Sequence, residues 1–166
     1  MVHELLELLE SNEQVAQSER WHPEGNALFH MLQVYALARD RTDDPCLLAA
    51  ALVHDVGKVL GSQDHAQTGA DLLEGLLAPR VVWLVQHHLD LAAAPCATRR
   101  RLRGTRELRD LQRLRALDLA GRSPVARVPS ARCAVEQLFG LGASLLIDPI
   151  AGEPAPMTHD LRKERL

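Results

Sequence analysis

The chain has 166 residues, 46% of them apolar and only 3% aromatic, a size and composition that suit one domain with a core of its own. No apolar run approaches the roughly 20 residues that a membrane-spanning helix needs, and the opening MVHELLELLE, with acids among its leucines and no basic stretch, does not read as a signal peptide. The net charge of −3 hides an asymmetry: residues 1–98 hold 14 acids against 5 bases, whereas residues 99–132 hold 11 arginines against Glu107, Asp110 and Asp118. Such a basic block either attracts phosphate or RNA or forms a solvated helix face. Cys46, Cys96 and Cys133 are widely spaced and form no CxxC, so neither a zinc knuckle nor a disulfide framework is indicated, and a reducing cytoplasm is the expected location.

In chain order, nearly every segment reads as helix. Residues 2–10 set Leu5, Leu6, Leu8 and Leu9 against Glu4, Glu7 and Glu10, a short amphipathic helix. WHPEGN follows a polar stretch. Its Pro23 and Gly25 are turn residues, and Asn26 can cap a helix running to about Asp40. Asp44-Pro45 is a start signal, with the acid at the cap and proline in the first turn. The helix after it, CLLAAALVHD, is apolar nearly all round and should be buried at the centre, ending at Gly57. Residues 65–77 and 79–90 form two further helices split at Ala78-Pro79. Thr105 opens a long helix ending at Gly121, and Ser130 opens another through about Phe139. No segment alternates as a strand does, so the expected fold class is all-α. Residues 148–166 are rich in proline and charge and are expected to form an extended or partly disordered tail beyond a domain spanning 1–147.

The polar residues inside these helices need a separate reason. The central helix closes on LVHDVGK, and His54 and Asp55 as helical neighbours would point about 100° apart. Burying both is costly without partners. They either cap the helix end or converge on a metal ion, which imidazole and carboxylate both bind. His30, His65, His87, His88 and Asp118 stand likewise at the ends or inner faces of successive apolar helices. Helical bundles assemble metal sites from ligands projected inward by different helices.

The ordered set His30, His54-Asp55, His65, His88 and Asp118, with HDVGK at its centre, resembles the HD-domain superfamily of metal-dependent phosphohydrolases over about residues 21–122. Within it, WHPEGN before LFHML, then DHAQTGADLLEGL and ALDLAGR, are most similar to the HD domain of bacterial CCA-adding tRNA nucleotidyltransferases. Only 20 residues precede this region, and they show no nucleotidyltransferase head, so the resemblance implies a free-standing HD domain and not CCA addition. Asn26 stands where that segment usually has an acid.

The resemblance implies a compact helical bundle with a metal site between its central helices. It also implies His30, His54, Asp55 and Asp118 as ligands of one divalent ion, with His65 and His88 supplying a second and Asp55 bridging the two. His87 is the alternative to His88. The ion could be manganese, iron, cobalt, nickel, magnesium or zinc. Asp55 and Lys58 would serve catalysis, Lys58 near substrate phosphate, although a lysine at a helix end is also an ordinary dipole partner. Arg99, Arg103 and Arg106 would reach substrate from the basic block. His22 and Glu24 either fix the turn before His30 or face the pocket. The expected activity is hydrolysis of a small phosphoester, foremost a nucleotide, as phosphomonoesterase or phosphodiesterase. A diiron oxygenase and a non-catalytic nucleotide- or RNA-binding module are the alternatives.

Overall fold

The computed structural model describes residues 2–141 apart from Glu19 and Ser62. The expected tail at 148–166 lies outside the described residues. The fold is all-α. Nine helices follow in order among the described residues: α1 (Val2–Glu10), α2 (Ala27–Arg39), α3 (Pro45–Val53), α4 (His65–Leu73), α5 (Pro79–His87), α6 (Asp90–Ala93), α7 (Pro95–Arg101), α8 (Arg106–Ala120) and α9 (Ala131–Gly140). A 3-10 segment, Val56–Leu60, lies between α3 and α4. No single helix among the described residues is long and apolar enough to cross a membrane.

The helix starts follow local chemistry. Asn26 Oδ1 accepts the Phe29 amide at 2.8 Å, and Asp44 Oδ1 accepts the Cys46 and Leu47 amides. Thr105 and Ser130 cap α8 and α9 in the same way, through the amides of Leu108 and Cys133. Each side-chain oxygen satisfies an amide that the first helical turn leaves unpaired.

The ends differ more from expectation. The helix at 65–77 stops at Leu73, where Gly75 takes a φ of 76° and turns the chain. The helix at 79–90 stops at His87, and the short α6 and α7 follow where no helix is expected from pattern. Most consequential is the central helix. It ends at Val53 with His54 as its cap, so Asp55 is not helical: it sits at φ −108°, ψ 7° before the 3-10 turn.

α3 forms the core, with Cys46 through Val53 all buried. It packs between α2, α5 and α8, while α1 closes the bundle against α9. Leu5 and Leu9 enter from α1, Met31 and Tyr35 from α2, and Leu84 and Leu114 from α5 and α8. Such aliphatic burial contributes about 1.5–3 kcal/mol per large side chain.

The start of α3 lies at the opposite end of that helix from His54. There Arg80 clamps the bundle. Its guanidinium donates twice to Asp44, at 2.7 and 2.8 Å, and twice to Asp110, at 2.7 and 3.0 Å. This ties α5 to the start of α3 and to α8. Burial alone would raise the pKa of Asp44, but the bonds from Arg80 outweigh it and hold the value below 3.8. A carboxylate held low adds stability above its unfolded pKa and loses it as the pH falls through the lowered folded value. Arg80→Met should therefore cost about 2–4 kcal/mol near neutral pH, because it leaves a buried carboxylate, Asp110, and a partly buried one, Asp44, without their shared partner. In urea titrations the gap between wild type and variant should close progressively below about pH 4.

Candidate metal centre

Six segments bring their polar side chains to one place. α2 supplies His30, the end of α3 supplies His54, and the following turn supplies Asp55. His65 opens α4, His88 caps α5, and Asp118 comes from the last turn of α8. His30, His54 and Asp55 are at most 3% exposed.

Ring nitrogens and carboxylate oxygens face one another. His30 Nε2 lies 3.2 Å from His54 Nε2 and 3.0 Å from Asp118 Oδ1. Asp55 Oδ2 lies 3.5 Å from His54 Nε2 and 3.8 Å from His30 Nε2. The other oxygen of the same carboxylate, Oδ1, lies 3.1 Å from His65 Nε2 and 3.5 Å from His88 Nε2. Asp55 thus stands between two groups of imidazoles, one at each oxygen. The rings run in sequence His30, His54, His88, His65, with centroids 5.2, 5.4 and 5.3 Å apart.

The far nitrogens fix which way these rings face. His54 Nδ1 donates to the Ala51 carbonyl at 3.1 Å, and His88 Nδ1 donates to the Val85 carbonyl at 2.7 Å. His30 Nδ1 has two acceptors, the Gly121 carbonyl at 2.9 Å and Glu24 Oε1 at 2.7 Å. A neutral imidazole with its hydrogen on Nδ1 presents a lone pair at Nε2. Three lone pairs and two carboxylates then point inward with no donor of their own between them. His88 Nε2 is buried and makes no hydrogen bond. The donor set therefore fits a divalent cation of the first transition row.

The electrostatics differ between the rings. Burial pushes the His54 pKa down to about 4, more than the charge of Asp55 raises it, so the ring is neutral at pH 7. Burial also opposes the charge on Asp55, yet the surrounding imidazoles of His54, His65 and His88 and the ammonium of Lys58 together hold it well below the carboxylate range. His30 is raised despite its burial, because Asp118, Asp55 and Glu24 surround it. The carboxylates together make a negative field that calls for a cation.

Two glycines make the convergence possible. A Cβ on Gly57 would sit 2.1 Å from the His65 carbonyl oxygen and 2.5 Å from the Gly69 nitrogen. The 3-10 turn can therefore lie flat on α4, which brings His65 to Asp55. A Cβ on Gly121 would meet Val34 Cγ2 at 2.6 Å, so the end of α8 can approach α2 and offer its carbonyl to His30. Reciprocal bonds between Gln33 and Ser123, at 2.8 and 2.9 Å, hold that approach. Asn12, fully buried, donates to the Val56 carbonyl at 3.2 Å and pins the turn after Asp55.

Other candidate residues fall less uniformly. Lys58 Nζ donates to Asp55 Oδ2 at 2.6 Å and also to Gln17, so it borders the cluster and does more than end a helix. His87 turns away: its Nδ1 pairs with Asp90 at 3.1 Å and its ring lies against Trp83. Of the neighbouring pair, His88 is the one brought to Asp55. Arg106 is twelve residues before Asp118 on α8, roughly 18 Å along the axis, and pairs with Asp44 and Asp110. It thus supports the distant clamp and is not brought to the cluster. Arg99 and Arg103 are exposed, and neither reaches the cluster among the described residues.

The arginine that does reach it is Arg122, overlooked within the basic block. It donates to Asp118 Oδ1 at 3.3 Å and to the Trp21 carbonyl at 3.1 Å. Its signal was present in ALDLAGR, since residues four apart share a helix face. Glu24 is expected either to fix the turn before His30 or to face the pocket. Its side chain is wholly buried and lies against the far nitrogen of His30.

Known proteins sharpen this picture. The HD domain family profile matches residues 28–122, most of the chain and every inward-facing residue from His30 to Asp118. The chain belongs to the HD domain family. Among curated relatives, the Multifunctional CCA protein of Vibrio cholerae serotype O1 is 31% identical over 112 residues, 63% of this chain, in both strain M66-2 and strain ATCC 39315 / El Tor Inaba N16961. The chain spans 27% of the length of these relatives. The HD family is generally hydrolytic and binds divalent metals, which is the chemistry the inward lone pairs accept.

The two glycines should respond differently to a methyl group. In Gly57→Ala the added carbon meets backbone, which yields only by separating the 3-10 turn from α4. About 2–3 kcal/mol or more should be lost in thermal unfolding. In Gly121→Ala the first obstacle is the end of the Val34 side chain, and the loss should be smaller, about 1–2 kcal/mol.

Proposed function

We propose that the protein is a metal-dependent phosphohydrolase acting on a small phosphoester, foremost a nucleotide, as a phosphomonoesterase or phosphodiesterase. The observation that carries this reading is the convergence of imidazole Nε2 atoms and carboxylate oxygens on the two sides of Asp55. His30, His54, Asp55 and Asp118 would hold one ion, and His65, His88 and the second oxygen of Asp55 would hold another. When bound, such an ion supplies Lewis acidity toward a phosphoryl oxygen and acidifies a water toward neutral pH.

The chain's own residues supply the rest. Asp55 keeps its charge because imidazoles and Lys58 surround it, so it can serve both sides at once. Lys58 and Arg122 are the cations that border the cluster, each with part of its side chain open to solvent. Both would neutralise charge on phosphoryl oxygens, and the planar fork of Arg122 suits bidentate binding. The buried walls around His30 and His54 keep bulk water away and strengthen these interactions. The Multifunctional CCA proteins match over 112 residues, 27% of their length, and no activity of the rest of those longer chains is proposed for this one.

Metal-loaded protein should turn over at least one member of a panel of phosphomonoesters, cyclic nucleotides and dinucleotides. A chelator and Asp55→Ala should each abolish turnover. Inactivity with every divalent metal would refute the reading, and iron retained on purification with oxygen consumption would replace it by an oxygenase. His30→Ala should lose metal, read by elemental analysis, while its helical circular dichroism stays near that of wild type.

A further inference from the structure

Glu24 has no place in the donor set, yet it is the acid most closely engaged with one of its members. Its carboxylate is entirely shielded from solvent, although it stands in the turn before α2. Oε1 lies 2.7 Å from His30 Nδ1 and 2.9 Å from His22 Nδ1. His22 packs edge-on to the His30 ring, with centroids 4.7 Å apart. The turn that carries these residues is itself tied down. Gly25 takes a φ of 98°, Gln17 donates its amide to the Gly25 carbonyl at 2.8 Å, and Arg122 donates to the Trp21 carbonyl.

A buried carboxylate is costly unless it is matched. A turn needs proline, glycine and a cap, and here Pro23, Gly25 and Asn26 already meet that need. Within the turn this carboxylate meets the His22 ring at 2.9 Å, and its still closer approach to α2 calls for an explanation outside the turn. His30 provides it. A carboxylate on the far nitrogen of a metal-binding histidine fixes the hydrogen there, sets the ring plane, and makes the near nitrogen a stronger donor. Of the histidines around Asp55, His54 and His88 bond backbone carbonyls through Nδ1, and His30 alone of these three has a carboxylate behind it.

We propose that Glu24 is the positioning carboxylate of the metal centre: beside the Gly121 carbonyl that accepts His30 Nδ1–H, it holds the same edge of the ring by its charge at 2.7 Å, aims Nε2 at Asp55 and Asp118, and touches no ion itself. The proposal rests on the reading that His30 binds metal. His22, Glu24 and His30 could also be imagined as a separate ion site, since their donor atoms lie close together. The Gly121 carbonyl argues against that. It sits 2.9 Å from His30 Nδ1, where a hydrogen satisfies it and a metallated nitrogen would not.

The test uses the full chain stripped of metal and titrated with cobalt(II), followed by calorimetry and by the visible absorption of the bound ion. Glu24→Ala should raise Kd roughly 10–100-fold and shift the visible bands, with stoichiometry unchanged. Glu24→Gln keeps an acceptor oxygen but no charge, and should fall between wild type and Glu24→Ala. Wild-type Kd and spectrum in both variants would overturn the proposal. So would the loss of one equivalent of metal with the remaining affinity intact, which would make Glu24 a ligand. If Glu24→Ala does not fold, Glu24→Gln decides alone: a weaker Kd with shifted bands supports the assignment, and an unchanged titration overturns it. A wild-type chain that binds no divalent ion would overturn both this assignment and the reading beneath it. Turnover by a wild-type chain whose Glu24 variants titrate normally would remove the Glu24 assignment alone.

Discussion

One buried carboxylate sets the terms for the structure. Asp55 lies at the centre of the bundle, where an unpaired charge would cost several kcal/mol. It remains ionised because His54, His65, His88 and Lys58 all face it. Those residues come from α3, α4, the end of α5 and the 3-10 turn, so each of these elements must be placed to within hydrogen-bond distance. Its two oxygens face opposite groups, which gives the cluster its divided form. The rest of the fold serves this arrangement: α3 buries the approach, and α2 and α8 add His30 and Asp118 from the far side.

Placement of this kind needs close backbone contact, and the chain achieves it by omitting side chains. Gly57 lets the turn after Asp55 rest on α4, and Gly121 lets the end of α8 reach α2. The second contact does two things at once. It brings Asp118 to His30 Nε2 and the Gly121 carbonyl to His30 Nδ1, so both nitrogens of that ring are positioned by the last turn of α8. Buried amides then lock the approaches, Asn12 on the Val56 carbonyl and Gln33 on Ser123. Stability and site geometry here depend on the same contacts.

The charge asymmetry resolves into separate roles. Arg80 and Arg106 gather around Asp44 and Asp110 at the end of the bundle remote from the cluster. Arg122, at the other end of the same basic segment, borders the cluster through Asp118. Arg99 and Arg103 face solvent. A block that looks uniform in the chain is thus divided by the length of α8, which carries its two ends about 18–20 Å apart.

Much was legible in the chain itself. Caps at Asn26, Asp44, Thr105 and Ser130, and the apolar run of α3, determine where helices begin and which one is central, because each is a local effect of hydrogen bonding or hydrophobicity. The ordered histidines and aspartates marked the family for the same reason: residue types and their order survive without coordinates. Three things depended on tertiary structure. Helix ends did, since Asp55 leaves the helix in order to face His54, which no local propensity demands. The choice between His87 and His88 did, because adjacent residues differ only in the direction they face. The roles of Glu24 and Arg122 did too, since Glu24 meets His30 across a turn and Arg122 ties Asp118 to a carbonyl 101 residues away in the chain. Local chemistry determined the parts, and only packing decided which polar atoms would have to share one buried space.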